Sequence, residues 1–157
     1  NLRTMTFPYT FRKDLVKAVI CIEMFDYDYD KMICELDVPV LFVDGPVKKD
    51  GYSLPADQLY MDNTTEITRF VNDMLAAGKK RIGFVGNYYH CQSFYERYAA
   101  FRMAMLMAGV PVDERCIFCN NHVEEEIIEA ISELEELPDV FICANGSSFG
   151  AWNIKKL

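Results

Sequence analysis

The sequence predicts an α/β fold in which parallel strands are covered by helices. From Val16 onward, short apolar runs rich in Val, Ile and Phe alternate with longer segments of helical period, a pattern typical of parallel sheets. The 157 residues are 51% apolar and 25% charged, which is ordinary for globular proteins. The chain can therefore bury a substantial core.

In the first half of the chain, apolar runs identify two strands directly. Strands are predicted at residues 18–22 and 40–43, with a short helix between them at 29–36. The glycines and prolines of residues 45–60 predict a loop that leads to a short extended segment at 59–61. Asp44 therefore stands directly after the second strand.

Capping and stop signals divide the second half into alternating helices and strands. Asn63 to Glu66 has the pattern of a capping box that opens a helix, and Gly78 ends that helix. Strands are then predicted at 81–86, 116–119 and 140–143, with helices near 93–108, from Asn121 to Pro138, and from Ser147 or Ser148 onward. We expect the chain to be incomplete at both ends, because residues 1–15 match no whole element and the last helix runs to the final residue.

The charge and hydropathy of the chain argue against several classes of protein. Its net charge of −8 is unfavourable for contacts with phosphate backbones, which are made largely by Lys and Arg. Apolar runs fall short of the roughly 18 residues of a membrane span, and the N-terminus lacks a signal-peptide profile. We expect a cytoplasmic protein without membrane contact.

Motifs for metal binding and catalysis are present only in fragments. Cys116, Cys119 and His122 have zinc-like spacing, but a structural site needs four ligands and no second pair stands at suitable spacing. Asp26 begins a run that imitates a calcium loop, but Lys31 occupies the position where that loop needs glycine. We predict no metal, no cofactor and no catalytic residue.

Polar residues follow most of the predicted strands, at the edge where open α/β sheets bind ligands. Amide and carboxylate groups suit hydroxyl groups, and aromatic faces can cover the apolar surface of a sugar ring. The residues concerned are Asp44, Asn87 with Tyr88, Tyr89 and His90, Asn120 with Asn121, and Asn145. The pattern favours polyol binding, although turn and cap preferences are an alternative explanation of each position.

Two side chains of the helix near 93–108 are further candidates for ligand contact. Arg97 lies about one turn after Ser93, so both can project toward the same strand-end crevice. The alternative is an exposed helix arginine that pairs with a carboxylate such as Glu96 or Glu125.

Several segments together resemble the LacI/GalR family of bacterial transcription regulators. The segments are MDNTTEITRFVNDMLAAGKKRIGFVGN, then SFYERYAAFRMAMLMAGVPVDE, with VKAVICIEM and VPVLFVD upstream and PDVFICAN downstream. The order and spacing of these pieces agree with the family over most of the chain. The chain departs from the family pattern at Gly146, which stands where the family has Asp, and at Glu66 and Ala100, which stand where it has glycine.

The resemblance implies a fold and a set of ligand contacts. The fold is a periplasmic-binding-protein-like type I core, with residues 1–78 in the N-terminal lobe and 79–157 in the C-terminal lobe, that closes on an effector in the interlobe cleft. By motif, Arg97 corresponds to the family's effector-gripping arginine and Ser93 to a polar pocket position. Asp44 and Asn145 correspond to pocket-lining positions, and Met61 to a position that often presents an apolar wall.

The resemblance also implies the partners. They are a small effector (sugar, sugar phosphate or purine), a second copy of the chain in a homodimer, and operator DNA through a headpiece outside these residues. The alternative is an extracytoplasmic sugar-binding protein of a transporter, which shares the fold. An enzyme of the same fold class would need a catalytic group that the sequence does not show.

Overall fold

The computed structural model describes residues 6–48, 54–119 and 124–145, without the side chains of residues 124 and 125. Six strands and four helices alternate along these ranges in the order β1 Val19–Ile22, α1 Tyr27–Cys34, β2 Val40–Val43, β3 Asp57–Leu59, α2 Thr65–Ala76, β4 Ile82–Val85, α3 Gln92–Met107, β5 Ile117–Phe118, α4 Glu124–Ser132 and β6 Val140–Cys143. The predicted α/β class with parallel sheets is confirmed.

The first sheet has the order β1-β2-β3, and both pairings are parallel. Its strands alternate between two faces, because successive side chains of a strand point in opposite directions. One face packs under α1 in a core that contains Cys21, Val40 and Phe42. The other face carries Ile20 and Ile22, which are exposed.

The second sheet has the order β5-β4-β6, again with parallel pairing. All four residues of the central strand β4 are buried, as expected for a strand covered on both faces. Ile82 and Phe84 belong to a core shared with α2 and α3, whereas Val85 packs with Ile127 and Ile131 of α4.

The described residues form two compact units. The first contains residues 6–48, 54–61 and 90–93, and the second contains residues 62–89, 94–119 and 124–145. Helix α2 belongs to the second unit, because Val71 lies in the same core as Phe84, whereas the sequence-based division grouped this helix with the first lobe.

Local bonds explain where element ends differ from the sequence prediction. The carboxylate that caps α2 is Asp62, which accepts bonds from the amides of Thr64 and Thr65 at 2.9 and 3.0 Å. The predicted capping box of Asn63 is therefore wrong. The strand predicted at 116–119 shortens to β5, because a 3₁₀ turn occupies Glu114–Cys116. The strand predicted at 59–61 lies at 57–59, where it pairs with β2. The predicted last helix lies outside the described residues.

Candidate functional site

A pocket of about 390 Å³ lies within the first unit at the carboxyl ends of its strands. Its volume is in the usual range of ligand pockets. Strand register builds its apolar part, because Ile22 is the partner of Val43 and Val43 is the partner of Leu59. The last residues of the three strands therefore form one row across the sheet. The full lining is Ile22, Glu23, Val43, Asp44, Leu59, Tyr60, Met61 and Ser93.

The residue that follows each strand adds a polar row beside the apolar one. Glu23 and Asp44 both have φ of 53°, a left-handed conformation that non-glycine residues seldom adopt and that concentrates at functional sites. The backbone amide of Glu23 donates to the carbonyl of Val43, and that of Asp44 donates to Leu59. The hydrogen-bond ladder of the sheet thus extends one residue past the strands, and both acidic residues line the pocket.

The carboxylate of Asp44 is held by its neighbour Gly45 and by Ser93, which is distant in the sequence. Its Oδ2 accepts a 2.5 Å bond from the hydroxyl of Ser93, and its Oδ1 accepts bonds from the amides of Gly45 at 2.9 Å and Ser93 at 3.3 Å. Ser93 is buried, and its Oγ also lies 3.2 Å from Sγ of Cys91. Charge-assisted bonds of this kind are short and directional, so the carboxylate has a defined orientation.

The loop after Asp44 is joined to the same segment. The amide of Gln92 donates to the carbonyl of Gly45 at 2.9 Å, and the amide of Lys48 donates to Oε1 of Gln92 at 3.1 Å. Nζ of Lys48 lies 5.1 Å from the ring centre of Tyr60. These contacts join the loop beside the pocket to the first residue of α3 and to Tyr60.

Arg97 lies in the second unit, where its guanidinium is bound by protein groups. Its Nε and Nη2 donate to Oδ1 of Asn63 at 3.1 and 2.9 Å, and its Nη1 donates to the carbonyl of Ala144. The guanidinium carbon lies 5.6 Å from the ring centre of Phe94. Asn63 is buried and donates to Glu96. Arg97 therefore connects α3 to the end of β6 and to the start of α2, and its predicted ligand contact stays a prediction.

The other predicted site residues of the second unit are distributed along its strand ends. Tyr89 is exposed, and its amide donates to Oδ1 of Asn87 at 2.9 Å. The ring of Tyr89 lies 4.1 Å from that of Tyr88. The pKa of Tyr88 is raised to about 12, mainly by a side-chain hydrogen bond with Tyr89 and to a smaller extent by partial burial. Asn145 is exposed after β6, and Asn121 lies outside the described residues.

Three of the predicted site residues thus line one pocket: Asp44, Met61 and Ser93. Five lining residues were absent from the prediction, and two of them, Glu23 and Tyr60, are polar. Glu23 could have been found by the same rule that identified Asp44, because it directly follows a predicted strand. Tyr60 could not, because its position depends on the short β3 and its register.

No group of His, Cys, Asp and Glu side chains among the described residues is arranged to hold a metal ion. Among the helices that the structure describes, none combines the length and the apolar character needed to cross a membrane.

Comparison with solved structures identifies the fold as that of LacI-type regulators and periplasmic-binding-protein-like proteins. The transcription regulator CcpA of Lactococcus lactis superposes with a TM-score of 0.67 and 17% identity over 91% of this chain and 51% of its own. A protein described as a ribose operon repressor from Burkholderia thailandensis superposes with a TM-score of 0.66 and 20% identity, over 92% of this chain and 50% of its own. The transcriptional regulator CelR in complex with cellobiose superposes with a TM-score of 0.60 and 20% identity, over 76% of this chain and 36% of its own.

The chain therefore spans about half the length, or less, of these regulators. No family model matches the sequence, and no curated protein matches it. The resemblance to LacI-type regulators noted in the sequence is confirmed at the level of the fold.

Proposed function

We propose that this chain is part of the effector-sensing core of a LacI-type transcriptional repressor and that its effector binds in the pocket of the first unit. The observation that carries the proposal is the bond from Ser93 to Asp44 at the carboxyl edge of a parallel sheet, where open α/β folds bind ligands. The fold shared with regulators, one of them bound to cellobiose, supports a sugar-like effector.

In this proposal the chain does not contact operator DNA itself. Its net charge of −8 disfavours phosphate contacts, so operator binding would belong to a separate DNA-binding segment of a homodimer. An effector controls such binding if its affinity differs between two conformations of the core. The proposed output is therefore a change in operator affinity when the pocket is filled.

The proposal is tested with the full-length gene product and a ligand panel of sugars, sugar phosphates and purines. A ligand that binds the folded state raises the melting temperature, so we expect at least one compound to do so. Asp44→Asn should abolish the shift, whereas Asp73→Asn, an exposed position on α2, should retain it. The proposal is wrong if no compound shifts the melting temperature, or if the Asp44 variant responds like the wild type.

The proposed control of DNA binding by the effector is tested separately. An electrophoretic mobility assay with DNA from the region upstream of the gene should show binding that the active compound weakens or strengthens. DNA binding that is absent under all conditions would favour the alternative of an extracytoplasmic sugar-binding protein.

A further inference from the structure

We infer that the pocket selects ligands that are rich in hydrogen-bond donors and carry no anionic group, and that Glu23 and Asp44 impose this selection. The inference rests on the proposed function and narrows its effector class. It favours neutral polyols, aminated polyols and purine nucleosides, and it excludes their phosphate esters. It depends on the direction of the hydrogen bonds around the pocket.

The hydroxyl groups that line the pocket donate their hydrogens to other groups of the protein. The hydroxyl hydrogen of Ser93 is donated to Asp44, and that of Tyr60 is donated to Oε1 of Gln58. Carboxylates accept and do not donate, so Glu23 and Asp44 contribute acceptors. The side-chain oxygens of the lining thus offer lone pairs, and a ligand must supply the hydrogens.

Two backbone amides beside the pocket also donate to acceptors of the protein. The amide of Gly45 donates to Asp44, and the amide of Glu23 donates to the carbonyl of Val43. Phosphate sites in proteins are commonly built from backbone N–H groups that point at the ligand. Here those groups point at the protein's own acceptors.

The charges of the lining act in the same direction as its hydrogen bonds. Glu23 and Asp44 follow neighbouring strands, and none of the lining residues that the structure describes is basic. Like charges placed next to each other disfavour binding, so a phosphate in this pocket would be repelled by the two carboxylates. Nζ of Lys48 lies 5.1 Å from the ring centre of Tyr60, a distance that suits a cation–π contact.

The experiment compares matched neutral and anionic ligands on the full-length protein by isothermal titration calorimetry. The pairs are glucose and glucose phosphate, ribose and ribose phosphate, and adenosine and adenosine monophosphate, with glucosamine as the cationic probe. In each pair where binding is detected, we expect the phosphate to bind at least about tenfold more weakly. Glucosamine should bind no more weakly than glucose.

Three variants test the assigned cause. Glu23→Gln should reduce the gap between neutral and phosphorylated ligands, whereas Asp73→Asn makes the same charge change outside the pocket and should leave the gap unchanged. Lys48→Met should not weaken phosphate binding. A phosphate ester that binds as tightly as its neutral parent, or a gap insensitive to Glu23→Gln, overturns the inference while leaving the proposed function intact. Absence of binding by every compound overturns the proposed function and the inference with it.

Discussion

The hydroxyl of Ser93 donates a 2.5 Å hydrogen bond to Oδ2 of Asp44, although the two residues are 49 positions apart in the sequence. The bond joins the start of α3 to the residue that directly follows β2. It gives the carboxylate a defined direction before any ligand binds, and preorganisation of this kind lowers the entropic cost of binding.

Ser93→Ala should destabilise the protein by about 1–2 kcal/mol, because a bond to a charged group is lost and Asp44 keeps fewer partners. Chemical denaturation would measure this loss. A double-mutant cycle with Asp44→Asn should show coupling between the two positions. Ser132→Ala is the control, since that exposed hydroxyl bonds to carbonyls of its own helix. Additive effects of Ser93 and Asp44 would contradict the bond.

Arg97→Ala should destabilise the ligand-free protein by about 1–3 kcal/mol, because the buried side chain of Asn63 loses two charged donors. A purely ligand-gripping arginine would leave ligand-free stability unchanged. Thermal denaturation without ligand therefore separates the two roles. Arg69→Ala is a matched control, since Arg69 forms an exposed ion pair with Glu66, and such pairs contribute little.

Lowering the pH from about 7 to about 5 should increase the contribution of Asp30 to stability. Asp30 is fully buried and both carboxylate oxygens lack a partner among the described residues. Burial, and then the charge of Asp26, raises its pKa to about 6 from 3.8. The folded state therefore binds the proton more tightly than the unfolded state, and stability falls as pH rises through this window.

Asp30→Asn tests this assignment, because it removes the charge while keeping the shape. We expect the variant to be more stable than the wild type at pH 8 by about 1–3 kcal/mol, with the advantage disappearing near pH 4. Asp28→Asn on the exposed side of the same helix should show no comparable trend. A pH-independent difference would mean that Asp30 has the same pKa in the folded and unfolded states, and would contradict the raised pKa.

Gly86→Ala should destabilise the protein by about 3 kcal/mol or more. A Cβ at this position would lie 2.3 Å from Cβ of Ala144, and the backbone has φ of 141°. Gly78→Ala is the matched comparison, because Gly78 has φ of 81° with nothing within 4 Å, so about 1 kcal/mol of backbone strain remains. Equal melting temperatures for the two variants would exclude the close contact with Ala144.

Local signals in the sequence were sufficient for the fold class and the order of the elements. Apolar runs and stop residues act over a few positions, so β2 and β6 begin and end where they were predicted, and Asp44 was recognised as a strand-end residue. The same signals failed at the start of α2. Asp62 and Asn63 both carry side chains of a capping type, but Asp62 accepts from the amide of Thr65, whereas Asn63 accepts from Arg97.

Tertiary structure decided which residues meet. Strand register placed Ile22, Val43 and Leu59 in one row and brought Glu23 to the pocket, and register is set by long-range pairing that no local window contains. Ser93 lies 49 positions from Asp44, and Asn63 and Ala144 lie 34 and 47 positions from Arg97. The burial of Asp30 could not be predicted for the same reason. A carboxylate in the polar first turn of a helix is expected to be solvated, and only the packing of the surrounding elements buries it.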